Sequence, residues 1–531
     1  MRPTVSPGRA ASSIRRAAAP LALLVLALYA APATAQRRGS AARPAAPVPT
    51  EAERRTGSAL AAARASEPRL MAFLRDMPKG ADLHSHLSGA IYAESYLLWA
   101  AEAGLCAMPD SATLSTAPCT GPHVPVVTAL RDTTLSRRLI DGWSMRDWDS
   151  TKVSGHDQFF ATFGRFGMAT YGRTGDMLAE ATSRAAAGHV RYMELMQTPD
   201  NGAVAALGRR VGWDTAAAGP DFGALRQKML AAGLRDTLAH ARANLDSAEM
   251  RRNAIQGCPG ASSAGPCGVT VRWLYQVSRA RSPEQVFAQI LAGFEMATMD
   301  PRVVGFNLVQ PEDNAVAVRD FSLQMRMIGF LRPLYPGVRL SLHAGELVPG
   351  LVGPEALRSH IRESVMVAGA ERIGHGVDVM GEEGAAELLR EMARRRVMVE
   401  IALTSNDVIL GVRGLAHPLH AYMAAGVPVA LATDDEGVAR SEMTQEYAKA
   451  VRDQGLDYGM LKAMARTSLE HAFIHGPSLW KDARTFTPVD ACADRAGGWS
   501  AASCQAFVAA SPKAGVQAQL EQDFREFEGR W

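Results

Sequence analysis

Eight short apolar runs, each set apart from the next by longer segments, constrain this 531-residue chain more than any other feature. They are Ala81–Leu87, Val190–Gln197, Val269–Val277, Val303–Val309, Arg339–His343, Arg372–His375, Val397–Leu403 and Val427–Thr433. Helical periodicity is expected between most of them, at Gly175–Ala187, Pro283–Met296, Val316–Leu334, Pro354–Ala368, Glu382–Arg395 and Pro418–Ala425. Short β-branched runs alternating with helical segments are the signature of repeated βα units. Eight such units predict an α/β fold, a (βα)8 TIM barrel with loop insertions. A doubly wound sheet is the competing architecture, but it normally carries a glycine-rich phosphate loop after its first strand, and none follows Ala81–Leu87.

The barrel is expected over residues 67–480, with loop-rich, disulfide-bearing inserts around Cys106–Ser150 and Asn201–Pro266 and a C-terminal appendage at 481–531. Residues 1–35 read as a signal peptide: Arg15 and Arg16 precede an apolar run from Ala17 to Ala31, and Ala33-Thr34-Ala35 offers a cleavage site. The alternative is a membrane anchor, yet the run is shorter than the ~20 apolar residues that span a bilayer. No stable anchor is therefore expected, and the protein reads as exported, to the periplasm or beyond. Residues 36–66, rich in Ala, Pro, Arg and Ser, read as a flexible N-terminus. Six cysteines fall into three local pairs, Cys106/Cys119, Cys258/Cys267 and Cys492/Cys504, as small disulfide staples would; free buried thiols are the plainer reading. With a formal charge of +3 and no basic block, no nucleic-acid partner is expected.

Barrels of this kind place functional side chains at the C-terminal ends of their strands. Four predicted strands end in metal-capable residues: His84 and His86, then His343 with Glu346, then His375, then Asp434 with Asp435. Residues two apart on a strand share a face, so His84 and His86 can point together. One histidine at a strand end is usually structural, but four such ends together are not readily explained that way. His84, His86, His343 and Asp434 supply three imidazoles and a carboxylate, a set suited to one Zn2+ per chain with a position left for water. Glu346, His375 and Asp435 then stand beside the metal, free for acid and base work.

These residues sit in the stretches "MPKGADLHSHLSG", "SLHAGE", "RIGHG", "LTSN" and "ATDDE". They resemble, in order, the motifs of the adenosine deaminase family of metal-dependent amidohydrolases. The leader, the loop cysteines and the opening "MPKGADLH" are most similar to its secreted, growth-factor-like branch. The resemblance runs from about Met77 to Trp480 and implies a metal-dependent hydrolase. It implies that His84, His86, His343 and Asp434 bind zinc and that Glu346 protonates N1 of a purine. His375 would orient the attacking water, and Asp435 would contact the water or N7 of the base. Phe159, Phe160 and Phe163, in "FFATF", resemble an apolar segment near the purine pocket. Ser88 and Gly89 follow the first metal pair, where relatives commonly carry Asp in place of Ser88 to contact the ribose. Gln310 stands where relatives commonly carry a glycine whose amide meets purine N3.

The expected activity is hydrolytic deamination of adenosine or 2′-deoxyadenosine, releasing ammonia. Deamination of another aminopurine or modified nucleoside is the alternative that Ser88 and Gln310 motivate. A non-catalytic extracellular binding protein on the same barrel is a third reading. The partner is a small purine nucleoside, and a homodimer is compatible with the resemblance. Among lesser features, Glu194 could orient a ligand histidine, Arg279 could line the mouth, and His417 could reach strand seven or cap the next helix. Thr404-Ser405-Asn406 reads as a loop that supports the site.

Overall fold

The computed structural model describes residues 48–213, 220–259, 265–493 and 500–531. The expected signal peptide lies outside the described residues. Eight parallel strands form one sheet in sequential order. They are β1 (Gly80–His86), β2 (Val190–Gln197), β3 (Thr270–Ser278), β4 (Val303–Val309), β5 (Arg339–Ala344), β6 (Arg372–His375), β7 (Met398–Ile401) and β8 (Val429–Leu431). All eight coincide with the predicted runs to within a few residues at either end. The sheet closes just past β8: Asp434 N–H donates to the His84 carbonyl at 2.8 Å, and His86 N–H to the Asp434 carbonyl at 3.2 Å. One candidate metal ligand is thus the seam of the barrel.

Helices such as Thr174–Ala187, Pro283–Met299 and Ala315–Leu331 cover the outside of the sheet, burying Phe287, Ile290, Phe294 and Phe321. Apolar contacts hold this layer. The barrel interior, in contrast, holds a buried polar column. Arg372 on β6 pairs with Glu194 at 2.5 Å and Glu400 at 2.6 Å, and lies over the Phe473 ring at 3.7 Å. Removing a charge from water is costly unless it is paired, and here each partner is.

Several segments depart from expectation. Within the N-terminus expected to be flexible, Glu51–Ala63 is a helix, started by a reciprocal capping box between Thr50 and Glu53 and held by buried Leu60. The second insert is helical rather than loop-rich, with helices Ala203–Val211, Phe222–Ala231 and Leu234–Gln256. Leu234, Leu238, Ala241, Leu245 and Ala248 form its buried stripe, at the spacing a half-buried helix requires. The first insert includes a three-stranded antiparallel sheet of Cys106–Met108, Thr113–Ser115 and Val124–Pro125. Thr404, Ser405 and Asn406 are not a loop: they sit in a helix, Leu403–Leu410, that opens directly after β7. The helix expected at Pro354–Ala368 is broken into three short turns. The C-terminal segment adds a short hairpin and the helices Ala502–Ala510 and Pro512–Glu528, the second of which buries Phe524 and packs Phe527 against Phe73 and Tyr458.

Each of the three cysteine pairs is joined as a disulfide. Among the described residues, no helix is long and apolar enough to cross a membrane.

Candidate functional site

Four side chains from two strands and the barrel seam converge beyond the C-terminal end of the sheet. His84 Nε2 lies 3.0 Å from His343 Nε2, and His86 Nε2 lies 3.3 Å from the same atom. Asp434 Oδ1 lies 3.3 Å from both His84 Nε2 and His86 Nε2. The second nitrogen of each ring is already occupied. His84 Nδ1 meets Glu400 at 2.6 Å, His86 Nδ1 meets Gln276 Oε1 at 3.2 Å, and His343 Nδ1 meets Asn307 Oδ1 at 2.8 Å. These partners are acceptors, so each Nδ1 carries the proton and each Nε2 offers a bare lone pair. Three lone pairs and a carboxylate oxygen facing one another repel unless a cation lies among them. A tetrahedral ion with bonds of about 2.0–2.1 Å sets its donors roughly 3.3 Å apart, so this donor set fits such an ion.

His375 offers an atom to the same cluster, within 4.8 Å of those of His84, His343 and Asp434. A chain of hydrogen bonds assigns it a different part. Leu419 N–H donates to His417 Nδ1 at 3.1 Å, which leaves the proton of His417 on Nε2. That nitrogen donates to Asn406 Oδ1 at 3.1 Å, which turns the Asn406 amide nitrogen toward His375 Nδ1 at 3.0 Å. His375 Nδ1 therefore accepts, and its own proton sits on Nε2, a buried atom without another partner among the described residues. A protonated nitrogen cannot bind a metal but can donate to a substrate. Burial holds the His375 pKa down to about 3, so the ring is neutral. His417 thus reaches the helix that follows strand seven, at Asn406, and accepts the first amide of the helix Leu419–Ala425.

Glu346 lies 3.6 Å from His375, and burial followed by the Asp434 charge raises its pKa well above the usual carboxylate range. Asp435 is pushed up to about 8 by burial and by Asp434. Gly89 packs so closely on the Asp435 side chain that a Cβ there would meet Oδ1 at 1.4 Å, so no larger residue fits. Gly374 does the same for His84, whose Cε1 would lie 2.5 Å from a Cβ. Gln310, His375 and Asp434 all have positive φ, at 82°, 67° and 58°. Such backbone strain in non-glycine residues concentrates at functional sites.

The remaining predicted residues divide. Ser88 is half-buried, and its carbonyl accepts from Tyr96 Oη at 2.6 Å. Gln310 is exposed and its side chain accepts from Ala280 N–H at 2.9 Å, tying the ends of β4 and β3 together. Phe159 is 1% exposed and belongs to the core, whereas Phe160 and Phe163 are half-buried. All three lie on the helix Gly155–Phe166, whose first turn reaches the loop after β4 through His156 Nε2 and Asp313 Oδ1, 3.0 Å apart. Arg279 is fully buried, 4.0 Å from Glu312, and serves the loop rather than the mouth. Glu312 accepts the Gly345 and Glu346 amides at 3.0 and 2.9 Å, which fixes the loop that carries Glu346. Glu400, not Glu194, orients a candidate ligand; Glu194 holds Arg372 instead.

Comparison with known proteins agrees with this geometry. Residues 228–479 match the adenosine deaminase family. An aminodeoxyfutalosine deaminase of Streptomyces coelicolor is 30% identical over 220 residues, 40% of this chain and 50% of that one. An adenosine deaminase of Yersinia pseudotuberculosis is 36% identical over 146 residues, 27% of this chain and 40% of that one. The chain thus matches about half of its relatives' length or less. A solved structure, the adenine deaminase of Arthrobacter aurescens, superposes with a TM-score of 0.48 at 19% identity, over 75% of this chain and 94% of that one. Residues 228–479, a little under half of the chain, thus carry the likeness to the adenosine deaminase family.

Proposed function

We propose that this protein is an exported, zinc-dependent aminohydrolase that removes the exocyclic amine of adenosine or 2′-deoxyadenosine. The observation that carries this reading is the convergence of four donor atoms, His84 and His86 Nε2 each 3.0–3.3 Å from His343 Nε2 and Asp434 Oδ1, beside a buried carboxyl and a neutral imidazole. His84, His86, His343 and Asp434 would hold the ion, and Zn2+ suits three imidazoles and one carboxylate. An ion held there supplies Lewis-acid activation of water at neutral pH.

The chain's own groups supply the rest. Glu346, kept protonated by burial, donates to a ring nitrogen next to the reacting carbon and draws electron density from it. His375 presents its Nε2 proton to the attacking oxygen, where negative charge grows. Asp435 accepts a hydrogen bond from the water or from the departing amine. A C–O bond forms to the water oxygen and the C–N bond breaks; of the water's two protons one leaves with the amine as ammonia and the other restores Glu346, whose own proton stays on the ring nitrogen. Gly89 and Gly374 keep Asp435 and His84 where this geometry needs them. The three disulfides support an oxidising compartment, as export would provide.

A second reading keeps the chemistry and changes the substrate to another aminopurine nucleoside. Ser88 and Gln310 favour it, because both stand where the family commonly carries a residue that contacts substrate. Purified protein loaded with zinc should lower the absorbance of adenosine at the purine band and release ammonia. Turnover confined to a different nucleoside in a panel would replace the first reading with the second; no turnover of any aminopurine would overturn both. Glu346→Gln should retain zinc and lose roughly a hundred- to ten-thousand-fold in turnover.

A further inference from the structure

Parallel strands give a barrel two unlike ends, and the N-terminal end has a cavity of its own. It has a volume of about 440 Å³ and lies beneath β5, β6 and β7, between the strand starts and the helices Tyr458–His471 and Pro512–Glu528. Five cations line it: Arg332, Arg339, Arg395, Arg396 and Lys513. Two carboxylates share the wall, and both are engaged. Glu371 pairs with Arg339 at 2.9 Å and accepts the Leu340 amide, while Glu470 accepts from Ser478 at 2.6 Å and Gln517 at 3.0 Å.

Arg396 and Lys513 are left without a carboxylate within 4.0 Å among the described residues. The Arg396 guanidinium meets His471 Nε2 at 3.4 Å, and Lys513 Nζ donates to the Ala472 carbonyl at 3.1 Å. Lys513 is 8% exposed, and the Ala472 carbonyl is the one hydrogen-bond acceptor its ammonium meets among the described residues. Burial and the Arg339 charge bring its pKa down to about 8. Burial, with Arg396 and Lys513 beside it, holds His471 well below its ordinary range, so that ring adds no charge. Glu371 pairs with Arg339 and Glu391 with Arg395, so among the described residues Arg396 and Lys513 are the wall cations with no ion pair, eased by the more distant Glu470. Like charges left so lower stability.

The backbone adds an independent sign. Arg396 ends the helix Ala385–Arg395 at φ 59°, in the left-handed region where glycine or asparagine is usual. A bulky residue in that conformation is strained, and the strain sets its guanidinium at the cavity wall. Room for another guanidinium comes from Gly369, where a Cβ would lie within 2 Å of Arg332. Arginine forks match the oxygens of phosphate groups, and a cavity of this volume holds more than one such group.

We propose that this cavity is a binding site for a diphosphate group, free or carried by a nucleotide, at the end of the barrel opposite the candidate active site. The site rests on its own residues and stands whether or not the chain deaminates adenosine. Titration calorimetry on the full chain at physiological salt, with pyrophosphate, ADP and orthophosphate as probes, tests it. Pyrophosphate and ADP should bind, and orthophosphate should bind at least tenfold more weakly. Equal binding of pyrophosphate and ADP assigns the site to the free anion, and a clear preference for ADP assigns it to a nucleotide. Arg396→Gly, which suits the left-handed backbone, should abolish binding without lowering the melting temperature or adenosine turnover. Lys513→Gln provides a second loss of binding, and Arg394→Ala, outside the cavity wall, should bind as the parent does. Absence of pyrophosphate and ADP binding, or binding that survives both Arg396→Gly and Lys513→Gln, would overturn the proposal.

Discussion

The two ends of the barrel are built by the same device and differ in sign. At the C-terminal end, the sheet's side chains bring imidazole nitrogens and a carboxylate together, and hydrogen bonds fix a proton on each Nδ1 so that each Nε2 faces the centre. At the N-terminal end, the residues that open β5, β6 and β7 bring cations together. One end is arranged for a cation and the other for an anion. Between them stands Arg372, hydrogen-bonded to the carbonyl of His471 at one side and ion-paired at the other with Glu400, which holds His84. The difference teaches that a parallel barrel separates opposite electrostatic tasks by strand polarity alone, with a buried ion pair as the partition.

Removing the partition should have the largest effect. Arg372→Met leaves Glu194 and Glu400 buried without their counter-charge, and should cost about 3–5 kcal/mol in urea unfolding. Unfolding within 1 kcal/mol of the parent, taken as ~0.5–1 kcal/mol for an ordinary surface pair, would show that the column is not a structural partition. A narrower change spares the fold and disturbs one end. Gly374→Ala drives a Cβ into His84, and should weaken zinc affinity about 10–100-fold, read by competition with a chelator. Pyrophosphate binding at the other end should not change in that variant.

The smallest effect is expected at the rim. Asp313, by its hydrogen bond, raises the pKa of His156, so the tie between the helix Gly155–Phe166 and β4 is complete below the ordinary imidazole range. It fades as pH rises through that raised value. His156→Gln should therefore lower thermal stability at acid pH, by roughly 0.5 kcal/mol, and match the parent at alkaline pH. A difference that grows toward alkaline pH would reverse the assignment.

Much of this was legible in the sequence, and the reasons are local. A strand end followed by His-Ser-His or Thr-Asp-Asp keeps its donors within a few residues, so His84, His86, His343 and Asp434 could be read together before any fold was known. Glu400 could not: it lies 316 residues from His84, and nothing around it marks it apart from any glutamate in an apolar run. Asn307 and Gln276 escaped for the same reason. The helix Leu403–Leu410 was read as the end of a strand and a loop because Leu403 continues the apolar run of β7. The alanines and arginines of the second insert mask its helices in the sequence, although the stripe from Leu234 to Ala248 is present. Arg396 gave no signal, since its importance lies in a backbone angle that the sequence does not display.

The chain of hydrogen bonds from Leu419 to His375 begins at a main-chain amide, which no side-chain substitution can alter. Its state is set by where the helix Leu419–Ala425 starts relative to the helix Leu403–Leu410. The length of the segment Gly411–Pro418 therefore matters more than its composition. Apart from His417 itself and the positive-φ glycines Gly411 and Gly414, residues there can be exchanged as long as their number is kept. Adding or deleting one shifts His417 against Asn406 and removes the instruction that tells His375 which nitrogen to protonate.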